Sequence, residues 1–282
     1  MRVTFVLPIA SLDGGNRVVT EYASRLSNRG HTVTVVSLGR QIPKEFGRRT
    51  KDRLRDLLTG RWRELLNDRR PPIVFPTHLD RVPHLHRRLP HGGPVRDRDV
   101  PDADVIIATW YQTVPWVAKL SPSKGRKVHF LQHDERIMVQ HRGQFDKAGR
   151  ISWLTPGFSR VTVASWISDI GHDEYGVDST VVSNAVDTDL FHAEPRERNA
   201  TPVVGLMYSK ARFKGSDIAL KSIELARREV PDLRVKLFGI GEIPQEDVPS
   251  NSESFSSPQQ ETIRQIYGGC DAWLFASRCE GY

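Results

Sequence analysis

Residues 2–38, RVTFVLPIASLDGGNRVVTEYASRLSNRGHTVTVVSL, decide the fold. Residues 2–9 are a dense apolar run, too continuous for a strand with one wet face. Residues 11–16 follow as a glycine-containing loop. Val18, Val19, Tyr22, Ala23 and Leu26 then fall on one side of a helix, Gly30 stops it, and residues 31–38 supply a second β-rich run. Strand, glycine loop, helix, strand is the start of a βαβ unit, and strands buried on both faces belong to a parallel sheet covered by helices.

The same grammar continues. Strands are expected at 103–109, 127–133 and 160–164, helices around 114–120 and at 166–175, and extended chain at 179–186. A polar, proline-flanked stretch near 191–202 reads as a boundary. Beyond it come a strand at 203–208, a helix at 216–230, a strand at 233–239, a helix at 258–267 and a strand at 271–277. The expectation is an α/β protein with two Rossmann-like domains, 1–195 and 196–282. The second shows only three strands where an open parallel sheet carries about four to six, so it is expected to be incomplete.

Residues 40–100 break the rhythm. Of the 282 residues 41 are Lys or Arg and 34 Asp or Glu, and the whole excess of +7 sits between residues 41 and 100, with 15 basic and 8 acidic side chains. A local basic region implies an anionic partner. Leu54, Leu57, Leu58, Trp62, Leu65 and Leu66 mark one face of a helix over 50–67, rimmed by arginines. That helix either lies against anionic headgroups or packs on its own domain. A short strand fits residues 73–75, and 76–100 reads as loop. The two cysteines, Cys270 and Cys279, supply neither a disulfide framework nor a four-ligand zinc site. No signal-peptide cleavage pattern and no apolar run of roughly 20 residues occurs. The expected location is the cytoplasm, peripheral to the inner membrane face.

Ligands of parallel α/β sheets bind at the carboxyl ends of strands, which selects four places. Gly14, Gly15 and Asn16 follow the first strand and open a helix, where unpaired N–H groups suit an anion. Lys214 and Gly215 precede the helix at 216, with Lys210 and Arg212 close by, and a lysine there suits a phosphate. His133 ends a strand and is placed for a catalytic or substrate-orienting role, whereas His129 reads as a core residue. Glu280 lies past the last strand, where a carboxylate can accept hydroxyl hydrogen bonds. The two loops, one glycine-rich and one basic, are expected to open into one nucleotide-diphosphate cleft. No GxGxxG occurs and no acid closes the second strand, which disfavours a dinucleotide dehydrogenase. Asp187 and Asp189 are not expected to hold a metal, nor are His84, His86 and His91, so no metal site is expected.

In this order the motifs resemble glycosyltransferase family 4, whose members are nucleotide-sugar-dependent, retaining enzymes with the GT-B fold. Residues 5–37 resemble the family's first βαβ unit, and 161–191 its segment leading to the second domain, with Ala185 in place of the usual glycine. FKGSDIALKSIELA matches its Lys-Gly helix start, and DAWLFASRCEGY its strand before Glu-x7-Glu. FLQHDE is similar to a rhamnosyltransferase-like branch. The resemblance implies that Gly14 and Gly15 lie against donor phosphate and acceptor, that Lys214 binds the diphosphate, and that Glu280 contacts the donor with His133 near the transferred sugar. It implies no obligatory cofactor, a nucleoside-diphosphate sugar as donor, and a glycan or lipid-linked acceptor in polysaccharide biosynthesis. The family's Gly-Arg is replaced by Tyr208 and Ser209, so Lys210 or Arg212 would supply that charge. The second glutamate would fall at position 288. A nucleotide-sugar epimerase on the same fold and a non-catalytic anion- or membrane-binding protein are the rival readings. Nucleic acid is not an expected partner, since no reader motif accompanies the basic cluster.

Overall fold

A computed structural model describes residues 1–39, 76–137 and 142–282 of the chain. The expected basic helix over 50–67 and the strand at 73–75 lie outside the described residues. Contacts divide the described chain into two compact units, one built on Met1–Asn184 and one on Ala185–Gly281. The sequence expectation put the boundary at 195. The connecting segment is held by the second unit instead: Arg196 donates to the carbonyls of Gly268 and Cys270, both at 2.7 Å, and Arg264 donates to the His192 carbonyl at 2.8 Å.

Among the described residues the first unit is a seven-stranded sheet, parallel throughout, in the order β3-β2-β1-β4-β5-β6-β7. Its strands are β1 (Arg2–Leu7), β2 (Thr32–Leu38), β3 (His86–Leu89), β4 (Val105–Ala108), β5 (Arg126–Leu131), β6 (Phe158–Thr162) and β7 (Thr180–Val181). The helices are α1 (Gly14–Asn28), α2 (Val114–Ala118), α3 (Arg142–Leu154) and α4 (Ser165–Tyr175). Alternation along β1 serves two cores at once. Val3, Phe5 and Leu7 pack with Val19 and Ala23 of α1, while Val6 packs with Ile106, Val114 and Val117 on the opposite face. That is why apolar residues stand on both faces of the strand. Asp13 caps α1 by accepting from the Asn16 amide at 2.8 Å, and Gly30 leaves the helix at a φ of +83°.

The second unit is a four-stranded parallel sheet in the order β10-β9-β8-β11. It comprises β8 (Val203–Tyr208), α5 (Ser216–Ala226), β9 (Arg234–Gly239), β10 (Ser252–Ser256), α6 (Gln260–Gly268) and β11 (Ala272–Leu274). Leu206, Ala219, Ile223, Val235 and Leu237 form its core.

Three elements depart from expectation. β10 is a fourth strand where three were expected, β3 replaces part of the expected 76–100 loop, and α3 was not singled out. Both strands are sheet edges, with sequences SESFS and HRRL. An edge strand is shielded on fewer sides and uses charge to repel wrong pairing, so it lacks the apolar signature that marks a central strand. α3 has two glycines and few apolar residues, yet it buries Ala148 and Trp153.

Candidate functional site

In the first unit the loop after β1 is closed by its own side chains. Asn16 Nδ2 donates to Ser11 Oγ at 3.1 Å and to Asp13 Oδ2 at 2.8 Å, and Ser11 Oγ donates to the same carboxylate. His78 Nε2 donates to the Leu12 carbonyl at 3.0 Å, and burial lowers the His78 pKa, which keeps the ring neutral. Asn16 is buried and serves the loop itself, whereas Gly14 is exposed with open space above its Cα. Asp13 puts a carboxylate at the positive end of α1. Both oxygens of that carboxylate are engaged by the loop's own donors, Oδ1 by the Asn16 amide and Oδ2 by Ser11 Oγ and Asn16 Nδ2.

Beside it lies the end of β5. A Cβ on Gly15 would stand 3.7 Å from both amide heavy atoms of Gln132, so that side chain reaches the start of α1. His133 donates from Nδ1 to the Asp134 carbonyl at 3.0 Å and sits edge-on to Trp166, with centroids 6.4 Å apart. The next three residues are charged and buried. Asp134 takes Arg136 in a bidentate pair at 2.8 and 3.0 Å, and Arg136 also reaches Glu174. These two carboxylates hold the guanidinium pKa above its ordinary value against the cost of burial. Glu135 accepts from Ser152 Oγ at 2.7 Å and lies 3.3 Å from His129 Nε2. His129 is thus a core residue, as expected, and the turn bearing Gln132 and His133 is fixed from beneath. Sequence reasoning passed over Gln132, although FLQHDE contains it.

In the second unit Lys214 and Glu280 meet directly, Nζ lying 2.8 and 2.7 Å from the two carboxylate oxygens. Both are half-buried, at 24% exposure. Gly215 makes this possible: its φ is +67° and a Cβ there would overlap the Ala276 carbonyl oxygen. Ser216 Oγ donates to the Ser209 carbonyl at 2.9 Å and accepts from the Ser209 amide at 2.8 Å, closing the loop after β8. Lys210 and Arg212 are exposed, and among the described residues no carboxylate pairs with either. Tyr208 donates to Asp247, and burial together with that carboxylate pushes its pKa up to about 12. Sequence reasoning missed Arg278 and Asp217, joined at 2.7 and 2.8 Å beside this loop; only their charge was visible.

Asp187 Oδ1 accepts from the amides of Asp189 and Leu190, an ordinary turn. His86 contacts Ser37 and His91 pairs with Asp99. Among the described residues no group of three or more His, Cys, Asp or Glu is placed to hold a metal ion, and no helix is long and apolar enough to cross a membrane.

Two parallel α/β units, each with ligand-suited groups at its strands' carboxyl ends, define the GT-B class of glycosyltransferase. The chain belongs to glycosyltransferase family 4, whose model matches residues 12–190. Among solved structures it is similar to HepE of Anabaena in complex with UDP and glucose, with 13% identity over 100% of this chain and 76% of that one and a TM-score of 0.62. It is similar to TarM of S. aureus, crystallised with UDP and sugar ligands, with 8% identity over 99% and 82% of the two chains and a TM-score of 0.63. WaaG, a glycosyltransferase involved in lipopolysaccharide biosynthesis, shares 14% identity over 98% and 75% with a TM-score of 0.55. No curated protein sequence matches the chain.

Proposed function

We propose that the chain transfers a hexosyl or deoxyhexosyl group from a nucleoside-diphosphate sugar to a glycan or lipid-linked acceptor, with retention of configuration. The observation that carries this reading is the Lys214–Glu280 pair beside Gly215, at the carboxyl end of the second sheet. A lysine held by a carboxylate at a helix start can exchange that partner for a diphosphate, while the released carboxylate accepts sugar or ribose hydroxyls. Lys210 and Arg212 add positive charge to the same loop. In the first unit Gly14 and Gly15 lie against donor phosphate and acceptor and His133 near the transferred sugar, while Asn16 holds their loop in shape. UDP in the HepE and TarM structures supports a nucleotide donor.

In the reaction the bond from the anomeric carbon to the diphosphate oxygen breaks as the acceptor oxygen bonds that carbon from the same face. The acceptor proton passes to the departing phosphate oxygen. Negative charge therefore grows on the diphosphate in the transition state, and Lys214 with the N–H groups of its turn stabilises it. The basic region at 41–100 draws the protein to an anionic membrane surface, where a lipid-linked acceptor would reside.

The test is calorimetry against a panel of nucleoside-diphosphate sugars, followed by nucleotide release with and without glycan or lipid-linked acceptors. The expected result is donor binding that K214A weakens at least tenfold, and release of nucleoside diphosphate only with acceptor present. Release without any acceptor would favour the epimerase reading. Binding unaffected by K214A would remove the donor site from this loop.

A further inference from the structure

The three-residue turn that delivers Lys214 has every carbonyl occupied from one short segment of chain. Arg278 donates from Nη1 to the Arg212 carbonyl at 2.6 Å, and its backbone amide donates to the Phe213 carbonyl at 2.7 Å. Ser277 Oγ donates to the Lys214 carbonyl at 3.4 Å. The same guanidinium forks onto Asp217 in the first turn of α5, at 2.8 and 2.7 Å. Gly215 fits against the Ala276 carbonyl only because it lacks a Cβ. Two residues past Arg278, Glu280 reaches back to Lys214.

We propose that Arg278 is a positioning residue of this anion site, setting the register between the Lys214 turn and the Glu280 segment without itself touching the ligand. This rests on the reading of Lys214 as the diphosphate contact. The physical argument has two parts. Carbonyl oxygens carry partial negative charge, and turning all three toward Ser277 and Arg278 keeps them from facing an incoming anion. Asp217 neutralises the guanidinium through a bidentate fork, so Arg278 is committed to its neighbours and Lys214 remains the cation exchangeable for phosphate.

The experiment measures dissociation constants for inorganic pyrophosphate and UDP by calorimetry on the unaltered chain, R278A, R278K, D217N, K214A and R278A/K214A, with melting temperatures alongside. R278A is expected to weaken both probes about fivefold, D217N about twofold, and R278K to recover part of the loss. The double variant should bind no more weakly than K214A alone, because Arg278 acts through Lys214. If R278A does not fold, R278Q, which retains a donor for the Arg212 carbonyl, takes its place. Unchanged affinity in R278A, or effects of R278A and K214A that add in full, would overturn the positioning role. No binding by the unaltered chain, or K214A binding as well as the unaltered chain, would instead sink the donor-site reading itself.

Discussion

A Cβ at Gly215 would overlap the Ala276 carbonyl oxygen, at a backbone φ of +67°. G215A is therefore expected to cost more than the roughly 1–3 kcal/mol of left-handed strain alone, measured by urea unfolding of the purified variant. A stability within about 0.5 kcal/mol of the parent, the usual range for harmless surface changes, would contradict the close approach. Glu135 gives a second test at this scale. E135A strips the buried Ser152 hydroxyl and the His129 ring of their shared acceptor, and each stranded group is expected to cost about 1–3 kcal/mol. E135Q, which keeps an acceptor, should cost less. Gly215, Lys214, His133 and Glu280 stood out in the sequence because residue type and place at a strand end were enough to select them. Arg278 and Asp217 did not, because 61 residues separate them and nothing in either local sequence marks the pairing. Gln132 was hidden similarly: its neighbour Gly15 comes from another strand's loop.

At the scale of elements, α3 and α4 meet through Gly171, where a Cβ would overlap the Trp153 ring. G171A should force the helices apart and cost about 1–3 kcal/mol by overpacking, seen as a lower melting temperature; an unchanged one would refute this packing. β11 is tied to β8 by Asp271, whose carboxylate accepts from Asn199 Nδ2 at 2.8 Å, the Val203 amide at 2.9 Å and Arg196 at 3.1 Å. These donors hold its pKa well below the usual carboxylate value, and Arg278 lowers that of Asp217 to about 2. A carboxylate depressed in the folded state stabilises above its unfolded pKa of about 3.9, and loses that contribution as pH falls through the folded value. D271N should thus be less stable than the parent at pH 7, with the gap narrowing as pH drops below about 4. A gap that stays constant with pH would dismiss the charge and leave only shape. The central strands were legible because both their faces are apolar; β3 and β10 were not, because an edge answers to solubility as much as to packing.

For the molecule as a whole, two parallel α/β units follow from a repeated strand–loop–helix pattern that the sequence displays openly. That residues 192 and 196 belong with the second unit follows instead from hydrogen bonds made by Arg196 and Arg264, which no local pattern reveals. Net charge is a property of this scale too. With +7 overall, the chain should co-sediment with vesicles containing anionic lipid at low salt and come free by about 0.5 M, where screening shortens the reach of charge to a few ångströms. Sedimentation indifferent to lipid charge would rule out electrostatic recruitment. The turn that bears Lys214 also has a consequence in time. It closes on residues 63 to 66 positions further along the chain, so a ribosome working at about 5–20 residues per second needs roughly 3–13 s to deliver its partners. Until then the nascent polypeptide holds the lysine without its scaffold, and translation arrested short of Arg278 would leave a half-made lobe for chaperones to shelter.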